Sequence, residues 1–243
     1  MKQTVWTIQD NTRIARDTWR MRFSGDSEAF EKPGQFLNLS LDGYYLRRPF
    51  SAFDWAPGQA SIIYKVLGRG TEHMTRLQPG ARLDVLCGLG NGFSLDTGAR
   101  RPLLVGGGAG VPPLYRLCRE LAGQGRLVQV ALGFGGADEI FLAEEFRALG
   151  AQVSVATMDG SAGLRGTALD ACDFTRADFF HACGPTAMLK ALCAQAGIPG
   201  EVSLEERMGC GFGACMGCTV MTQAGPMRAC REGPVFDKEA LAW

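Results

Sequence analysis

A short run of cysteines near the end of the chain constrains its fold more than any other feature. It reads Cys210-Gly211-Phe212-Gly213-Ala214-Cys215-Met216-Gly217-Cys218, and Cys230 follows after eleven further residues. From Met208 onward the sequence is Gly- and Cys-rich with little apolar periodicity. A hydrophobic core alone cannot order such a segment, so a bound group must help. The chain has nine cysteines, and the other five (Cys87, Cys118, Cys172, Cys183 and Cys193) are scattered. The four clustered thiols therefore form a distinct set. A disulfide framework is not expected in a chain without export features, because cytosolic thiols are kept reduced.

The spacing C-x4-C-x2-C with a distant fourth cysteine is the ligand order of a plant-type [2Fe–2S] cluster. Thiolates are soft, strongly donating ligands, and four of them complete two tetrahedral irons. Cys210, Cys215, Cys218 and Cys230 are the expected ligands. Gly209, Gly211, Gly213 and Gly217 let the backbone wrap closely and aim N–H groups at sulfur, which stabilises the cluster's negative charge. Four cysteines could also hold a structural zinc. That metal more often takes two closely spaced pairs, so the spacing favours iron and sulfide.

Upstream, the pattern divides near residue 97. Before it, short alternating runs such as Gln35–Leu41 and Ala60–Leu67 are separated by Pro33-Gly34, Asp42-Gly43, Pro57-Gly58 and Pro79-Gly80 turns. Many short strands with regular turns predict a small antiparallel barrel. After it, buried-strand runs (Leu103–Val105, Leu127–Gly133, Val153–Val155, Phe179–Ala182) alternate with helical stretches at Val111–Ala122, Asp138–Ala148 and Pro185–Ala196. That alternation predicts a doubly wound parallel sheet. The chain is thus expected to be an α/β plus β protein. A flavin-type barrel spans 1–97, a nucleotide domain 98–207 and a cluster-binding segment 208–243.

Two loops carry possible ligand chemistry. Arg47-Arg48-Pro49-Phe50-Ser51 alone reads equally well as an edge charge beside a core aromatic. Ile63-Tyr64-Lys65 changes that balance, because it leads through Gly68-Arg69-Gly70-Thr71 into a helical start, where free N–H groups favour a phosphate. In the second half, Gly106-Gly107-Gly108-Ala109-Gly110 follows a strand and opens a helix, the setting of a dinucleotide-binding turn. It is not a G-x-G-x-x-G match, and a tight turn without a ligand is the alternative. Cys183-Gly184-Pro185-Thr186-Ala187-Met188 lies at the end of a strand, where ligands bind in such sheets; the plainer reading makes Cys183 a buried core thiol.

These motifs, taken together, resemble the ferredoxin-reductase superfamily, with its R-x-[YF]-S element and its C-G-P-x-x-M element. The resemblance implies that Arg48 pairs with the pyrophosphate of FAD and that Pro49, Phe50 and Ser51 lie along the flavin. Ser51 would hydrogen-bond near the redox-active nitrogen. Ile63, Tyr64 and Lys65 would line the flavin and ribityl chain, and Gly70 and Thr71 would cap the phosphates. Gly106, Gly107, Gly108 and Gly110 would receive the nucleotide, and Cys183 would lie near the nicotinamide, making Ser51 and Cys183 the implied catalytic pair.

The wording Leu204–Cys218, closing with Cys230-Arg231-Glu232-Gly233-Pro234-Val235-Phe236-Asp237, is similar nearly end to end to the electron-transfer subunits of NAD-dependent dihydroorotate dehydrogenases. That family implies FAD, a [2Fe–2S] cluster and NAD as electron acceptor. It also implies an FMN-containing catalytic partner that oxidises dihydroorotate, in a heterotetramer with two of each chain, in pyrimidine biosynthesis. Phe50 stands where an aliphatic residue is commoner, and Lys65 where arginine is. Related reductase subunits of the sulfide dehydrogenase or bifurcating ferredoxin–NADP reductase type are the nearest alternatives. A zinc-stabilised adaptor on a dead reductase fold is the alternative from another class.

The bulk properties narrow the partners. Formal charge sums to +0 and no basic run occurs, so a nucleic-acid surface is not expected. No apolar stretch reaches the roughly 20 residues that cross a bilayer, and Met1–Trp6 is not followed by a signal-peptide core; a cytoplasmic location without a membrane anchor is the expectation. No Ser/His/Asp set or carboxylate pair points to hydrolysis. The loop Gly133–Glu139 contains two acids, Asp138 and Glu139, and no base. Acids there repel a 2′-phosphate and accept from a ribose hydroxyl, which favours NAD over NADP; Asp138 reads equally well as a helix cap.

Overall fold

The computed structural model describes residues 1–243. Alternating apolar residues build the first sheet from β1 (Lys2–Ala15), β2 (Thr18–Ser24), β3 (Phe36–Leu39), β4 (Arg48–Ser51), β5 (Asp54–Ala56), β6 (Gln59–Lys65) and β7 (Arg82–Leu89), with helix α1 (Arg69–Met74) between the last two. Trp6 and Ile8, Met21 and Phe23, and Leu83, Val85 and Cys87 point inward from their strands, as a two-residue period dictates. Each such side chain contributes about 1.5–3 kcal/mol of burial. The strands are all antiparallel, in the order β4-β3-β7-β1-β2-β6-β5. The sheet curls until β4 lies against β6, giving the expected barrel in a form whose ladder does not close.

The second sheet contains β8 (Pro102–Gly107), β9 (Gln129–Phe134), β10 (Gln152–Thr157), β11 (Leu164–Arg165), β12 (Phe179–Cys183) and β13 (Gly200–Ser203). All are parallel, in the order β11-β10-β9-β8-β12-β13. Alternate residues of β8 enter two different cores: Leu103 and Val105 face one, Leu104 the other. Helix α2 (Pro113–Gly123) covers the Leu104 face through Leu114, Leu117, Cys118 and Leu121, at helical spacing. Helix α3 (Ala143–Ala148) joins it through Phe146. Helix α4 (Thr186–Gln195) covers the opposite face through Leu189 and Leu192. Coverage of both faces explains why β8 is buried throughout and reads as a continuous apolar run. The strand order reverses between β8 and β12, which marks the crevice where such sheets bind ligands.

Two features differ from the sequence expectation. The helix expected over Asp138–Ala148 is interrupted, because Leu142 adopts a left-handed backbone (φ 64) and is buried with Phe141. A short turn, Ala137–Glu139, precedes the break. The segment after residue 207 is also woven into the rest. Its hairpin, β14 (Thr219–Thr222) and β15 (Gly225–Arg228), stands apart, but β16 (Val235–Asp237) pairs antiparallel with β13. Cys218, Val220, Ala229, Cys230 and Phe236 share one core with Phe36 and Leu89 of the barrel. The expected division at 207/208 is therefore crossed by a strand and by a core.

The two larger units are clamped at two places. Asp54 of β5 accepts from Arg116 Nη1 (3.1 Å) and Arg119 Nη1 (2.6 Å) of α2, while Arg116 stacks over Trp55, 4.4 Å from its ring centroid. On the other side, the Arg16 N–H donates to the Asp138 carbonyl at 2.8 Å.

Candidate redox site

A cavity of about 310 Å³ lies between the barrel and the second sheet. Its barrel wall is formed by Arg48, Pro49, Phe50 and Ser51 of β4 and by Ile63, Tyr64 and Lys65 of β6, with Thr71 at one end. All the flavin residues expected from sequence converge here except Gly70. Gly70 lines the adjoining open groove with Tyr44, Arg48, Gly68, Arg69 and Thr71. The convergence follows from the curl of the sheet, which brings β4 against β6 although 11 residues separate the end of one from the start of Ile63-Tyr64-Lys65 in sequence.

The geometry defines what each side chain can do. Phe50 and Tyr64 pack with ring centroids 5.9 Å apart. The Tyr64 hydroxyl turns away from the cavity and donates to Asn11 Oδ1 at 3.0 Å, and burial raises its pKa. Tyr64 therefore offers a ring face and no acid. The Arg48 guanidinium donates to the Leu46 carbonyl at 2.7 Å and lies over the Tyr44 ring. A Cβ on Gly70 would come within 2.7 Å of Arg48 Nε, which explains the glycine. Thr71 Oγ1 accepts from the N–H groups of Leu67 (3.0 Å) and Gly68 (3.2 Å) and donates to the Gly68 carbonyl (3.0 Å). Its hydroxyl thus braces the turn, and the early N–H groups of α1 are left for an anion.

The opposite wall contains residues that sequence reading missed: Ala109 and Pro112 from the Gly-rich turn, then Ser203, Leu204, Glu205, Glu206 and Met208 after β13. Glu205 is exposed at this wall, and the protein crowded about its carboxyl displaces enough water to raise it above the usual range. The sequence marked these stretches only as a Gly-rich turn and as the lead into the cysteine run, without assigning either to the flavin.

The Gly-rich turn is shaped largely by packing. A Cβ on Gly110 would come within 2.2 Å of the Cys183 carbonyl, one on Gly107 within 2.7 Å of Met188 Sδ, and one on Gly106 within 3.0 Å of Val111. Gly108 differs. It has φ +51 and open space above it, and it lines a second, smaller cavity with Lys65, Ala109, Phe134 and Glu139. Cys183 ends β12 opposite Gly106 and Ser203 and is 1% exposed. It lies beneath the turn, outside the cavity wall, and burial pushes its thiol up. The acidic loop contains no base of its own, but the fold brings two cations to it. Arg16 pairs with both Asp138 (3.1 Å) and Glu139, and Lys65 donates to Glu139 Oε2 at 2.8 Å. These cations come from the barrel, 122 residues away in sequence for the Arg16–Asp138 pair.

The four cluster cysteines occupy one loop system. Cys218 and Cys230 are buried, Cys210 is half-buried and Cys215 is exposed. No three of the thiols converge on a single ion position. Main-chain N–H groups aim at sulfur as expected: Ala214 to Cys210 Sγ at 3.2 Å, and Cys210 and Gly217 to Cys215 Sγ at 3.5 Å each. Burial pushes the Cys210 thiol up, but N–H groups from Phe212, Cys215 and Ala214 outweigh it and bring it down to about 6. Four soft donors with N–H groups directed at them are the donor set that an anionic iron–sulfur cluster requires.

Three braces hold the loop. Asn38 Nδ2 of β3 donates to the Cys210 carbonyl at 3.3 Å. Asn91 binds the Val235 carbonyl and N–H, at 2.7 and 3.1 Å. Arg228 donates to the Gly213 carbonyl at 2.6 Å and pairs with Glu232.

Comparison with known proteins agrees with this site. Residues 205–242 match the iron–sulfur cluster binding domain of dihydroorotate dehydrogenase B. The chain is 38% identical over 252 aligned positions to the dihydroorotate dehydrogenase B (NAD(+)) electron transfer subunit of Fusobacterium nucleatum, covering 97% of each chain. It is 42% identical to the subunit of that name from Geobacillus thermodenitrificans, covering 95% of each. Among solved structures, an NADH-dependent reduced ferredoxin–NADP oxidoreductase superposes with a TM-score of 0.87 at 30% identity, over 98% of this chain and 90% of the other. With the flavin-sized cavity, the switch-point crevice and the four-cysteine loop in one continuous site, the chain belongs to the family of electron transfer subunits of dihydroorotate dehydrogenase B (NAD(+)).

Proposed function

We propose that this chain passes electrons from a dihydroorotate-oxidising, FMN-containing partner chain to NAD+, through a [2Fe–2S] cluster and FAD. When bound, FAD would supply the conversion of single electrons from the cluster into a hydride for NAD+. The observation that carries this reading is the continuity of the cavity wall with the cysteine loop. Ser203–Glu206 and Met208 line the flavin-sized cavity, and Cys210 follows two residues later. One stretch of backbone thus sets both positions, which fixes the separation of the two redox groups.

The residues supply binding and exclusion of water. Arg48 and the N–H groups at the start of α1 hold the pyrophosphate. Phe50, Ile63 and Tyr64 form an apolar bed for the ring system, and the Ser51 hydroxyl would hydrogen-bond to the ring. Gly108 leaves room for the nucleotide at the switch point. Cys183 supports the turn from below and does not itself contact the reacting atoms. Cys210, Cys215, Cys218 and Cys230 hold the cluster, with Cys215 on the exposed side, facing the source of electrons.

The chain carries no set of residues for pyrimidine oxidation, so that step belongs to the partner. The assembly is a heterotetramer with two of each chain, and its location is the cytoplasm; no helix is long and apolar enough to cross a membrane. Co-purification with tagged chain tests the proposal. A yellow-brown complex containing FAD, FMN, iron and a dihydroorotate-oxidising second chain is expected. A colourless protein, or one that reduces NAD+ only with a different electron donor, would overturn it.

A further inference from the structure

Lys65 is the last residue of β6 and lines both the flavin cavity and the smaller cavity beneath Gly108. Its ammonium is taken up by a residue of the other unit, donating to Glu139 Oε2 at 2.8 Å. The pair is largely enclosed, with side-chain exposures of 26% and 13%, so solvent screens it weakly. Glu139 is fixed from behind. Arg16 pairs with its other oxygen and with Asp138, and the Arg16 N–H donates to the Asp138 carbonyl. The Glu139 N–H donates to Gly136 at 3.1 Å, and the Ala137 N–H to Ser161 Oγ at 2.8 Å. Hydrogen bonding and charge from Lys65 hold the Glu139 carboxyl below its usual range, so it is ionised. Nothing in the hydride chemistry calls for an anion at this place.

We infer that Glu139, carried by the nucleotide sheet, is a positioning residue for the flavin: it holds the Lys65 ammonium against the flavin cavity and offsets its charge there. The inference rests on the flavin reading of the cavity. Two-electron reduction leaves a flavin more negative, so a nearby cation favours the reduced form and a nearby anion opposes it. Glu139 and Lys65 should therefore act on the flavin with opposite sign, and together they should nearly cancel. Because Glu139 lies on the loop that follows β9, any change in that loop reaches the flavin through this one pair.

The test is the flavin midpoint potential, measured by anaerobic titration against a reference dye in the intact complex. Glu139→Gln leaves Lys65 unopposed and should favour reduced flavin by on the order of tenfold, about 30 mV upward for a two-electron couple. Lys65→Met should move the potential downward by a similar amount, and the double variant should return close to the unsubstituted value. Glu139→Asp keeps the charge at shorter reach and should leave the potential nearly unchanged, which separates charge from fold. If Glu139→Gln does not fold, Glu139→Ala, which also removes the charge, is read against Glu139→Asp for the same contrast. Unshifted potentials, or single variants that shift in the same direction, would overturn the inference. Absence of flavin from the unsubstituted complex would instead strike the reading on which it rests.

Discussion

Gly211→Ala should loosen the cluster loop without unfolding the rest of the chain. Gly211 has φ +78, and a Cβ there would lie 1.9 Å from Asn38 Nδ2. Placing an L-residue in that backbone region costs about 1–2 kcal/mol. Asn38 is only 1% exposed, so its amide cannot swing into water to relieve the contact. It must give up its bond to the Cys210 carbonyl, a loss of about 1–2 kcal/mol when a buried partner is stranded. The sum, about 2–4 kcal/mol, raises the population of locally opened loop roughly thirtyfold to a thousandfold, at tenfold per 1.4 kcal/mol. Anaerobic bleaching of cluster absorbance by excess chelator reads that population directly. Gly225→Ala is the control, since it also has positive φ (+104) but its Cβ would meet nothing within 4 Å. If Gly211→Ala bleaches no faster than Gly225→Ala, the docking of Cys210 on Asn38 does not secure the cluster.

Other substitutions test the remaining parts of the site. Cys215→Ser should abolish the reduced-state EPR signal of the cluster while FAD stays bound; an unchanged signal would remove Cys215 from the ligand set. Arg48→Ala should weaken FAD retention by about 1.5–3 kcal/mol, the worth of a hydrogen bond to a charged group, read as flavin content after extensive dialysis. Diaphorase activity should favour NADH over NADPH at matched concentrations, because the loop after β9 has no base of its own and the cations that reach it, Arg16 and Lys65, are already paired with Asp138 and Glu139; equal efficiency with NADPH would show that Arg16 serves the nucleotide instead. Hydrogen bonding to Arg47 holds the Asp84 carboxyl below the usual carboxylate range. A depressed folded value adds stability above the unfolded value, and that stability is lost as pH falls below it. Asp84→Asn should therefore lower stability at neutral pH and flatten the acid limb of the unfolding curve.

Local signals in this chain were legible in sequence, and contacts across it were not. The cysteine spacing, the Arg48–Ser51 and Ile63–Lys65 elements and the strand–helix alternation each depend on residues close in sequence. Each maps onto one loop, strand or unit of the fold. The Ser203–Glu206 wall had no pattern of its own, because β13 is only four residues long and buries a polar residue, Glu201. Strand β16 is three residues long, too short for a period to show. The helix expected over Asp138–Ala148 failed at Ile140-Phe141-Leu142, where an apolar run enters the core and forces the chain out of helical geometry. Arg16 and Asn38 matter through partners more than a hundred residues away, and nothing in their local sequence marks them. In the Gly106–Gly110 turn a Cβ would meet protein at Gly106, Gly107 and Gly110, and only Gly108 has open space above it, a difference that depends on packing partners far away in sequence.

A flavin and an iron–sulfur cluster held by this chain should exchange electrons on the way to NAD+, and the EPR spectrum of the purified complex, frozen after anaerobic addition of NADH, reads that exchange. Electrons entering from NADH should pass through the flavin and produce the signal of a reduced [2Fe–2S] centre, and that signal should vanish in Cys215→Ser. A cluster that dithionite reduces but NADH leaves silent would show that the two groups do not exchange electrons.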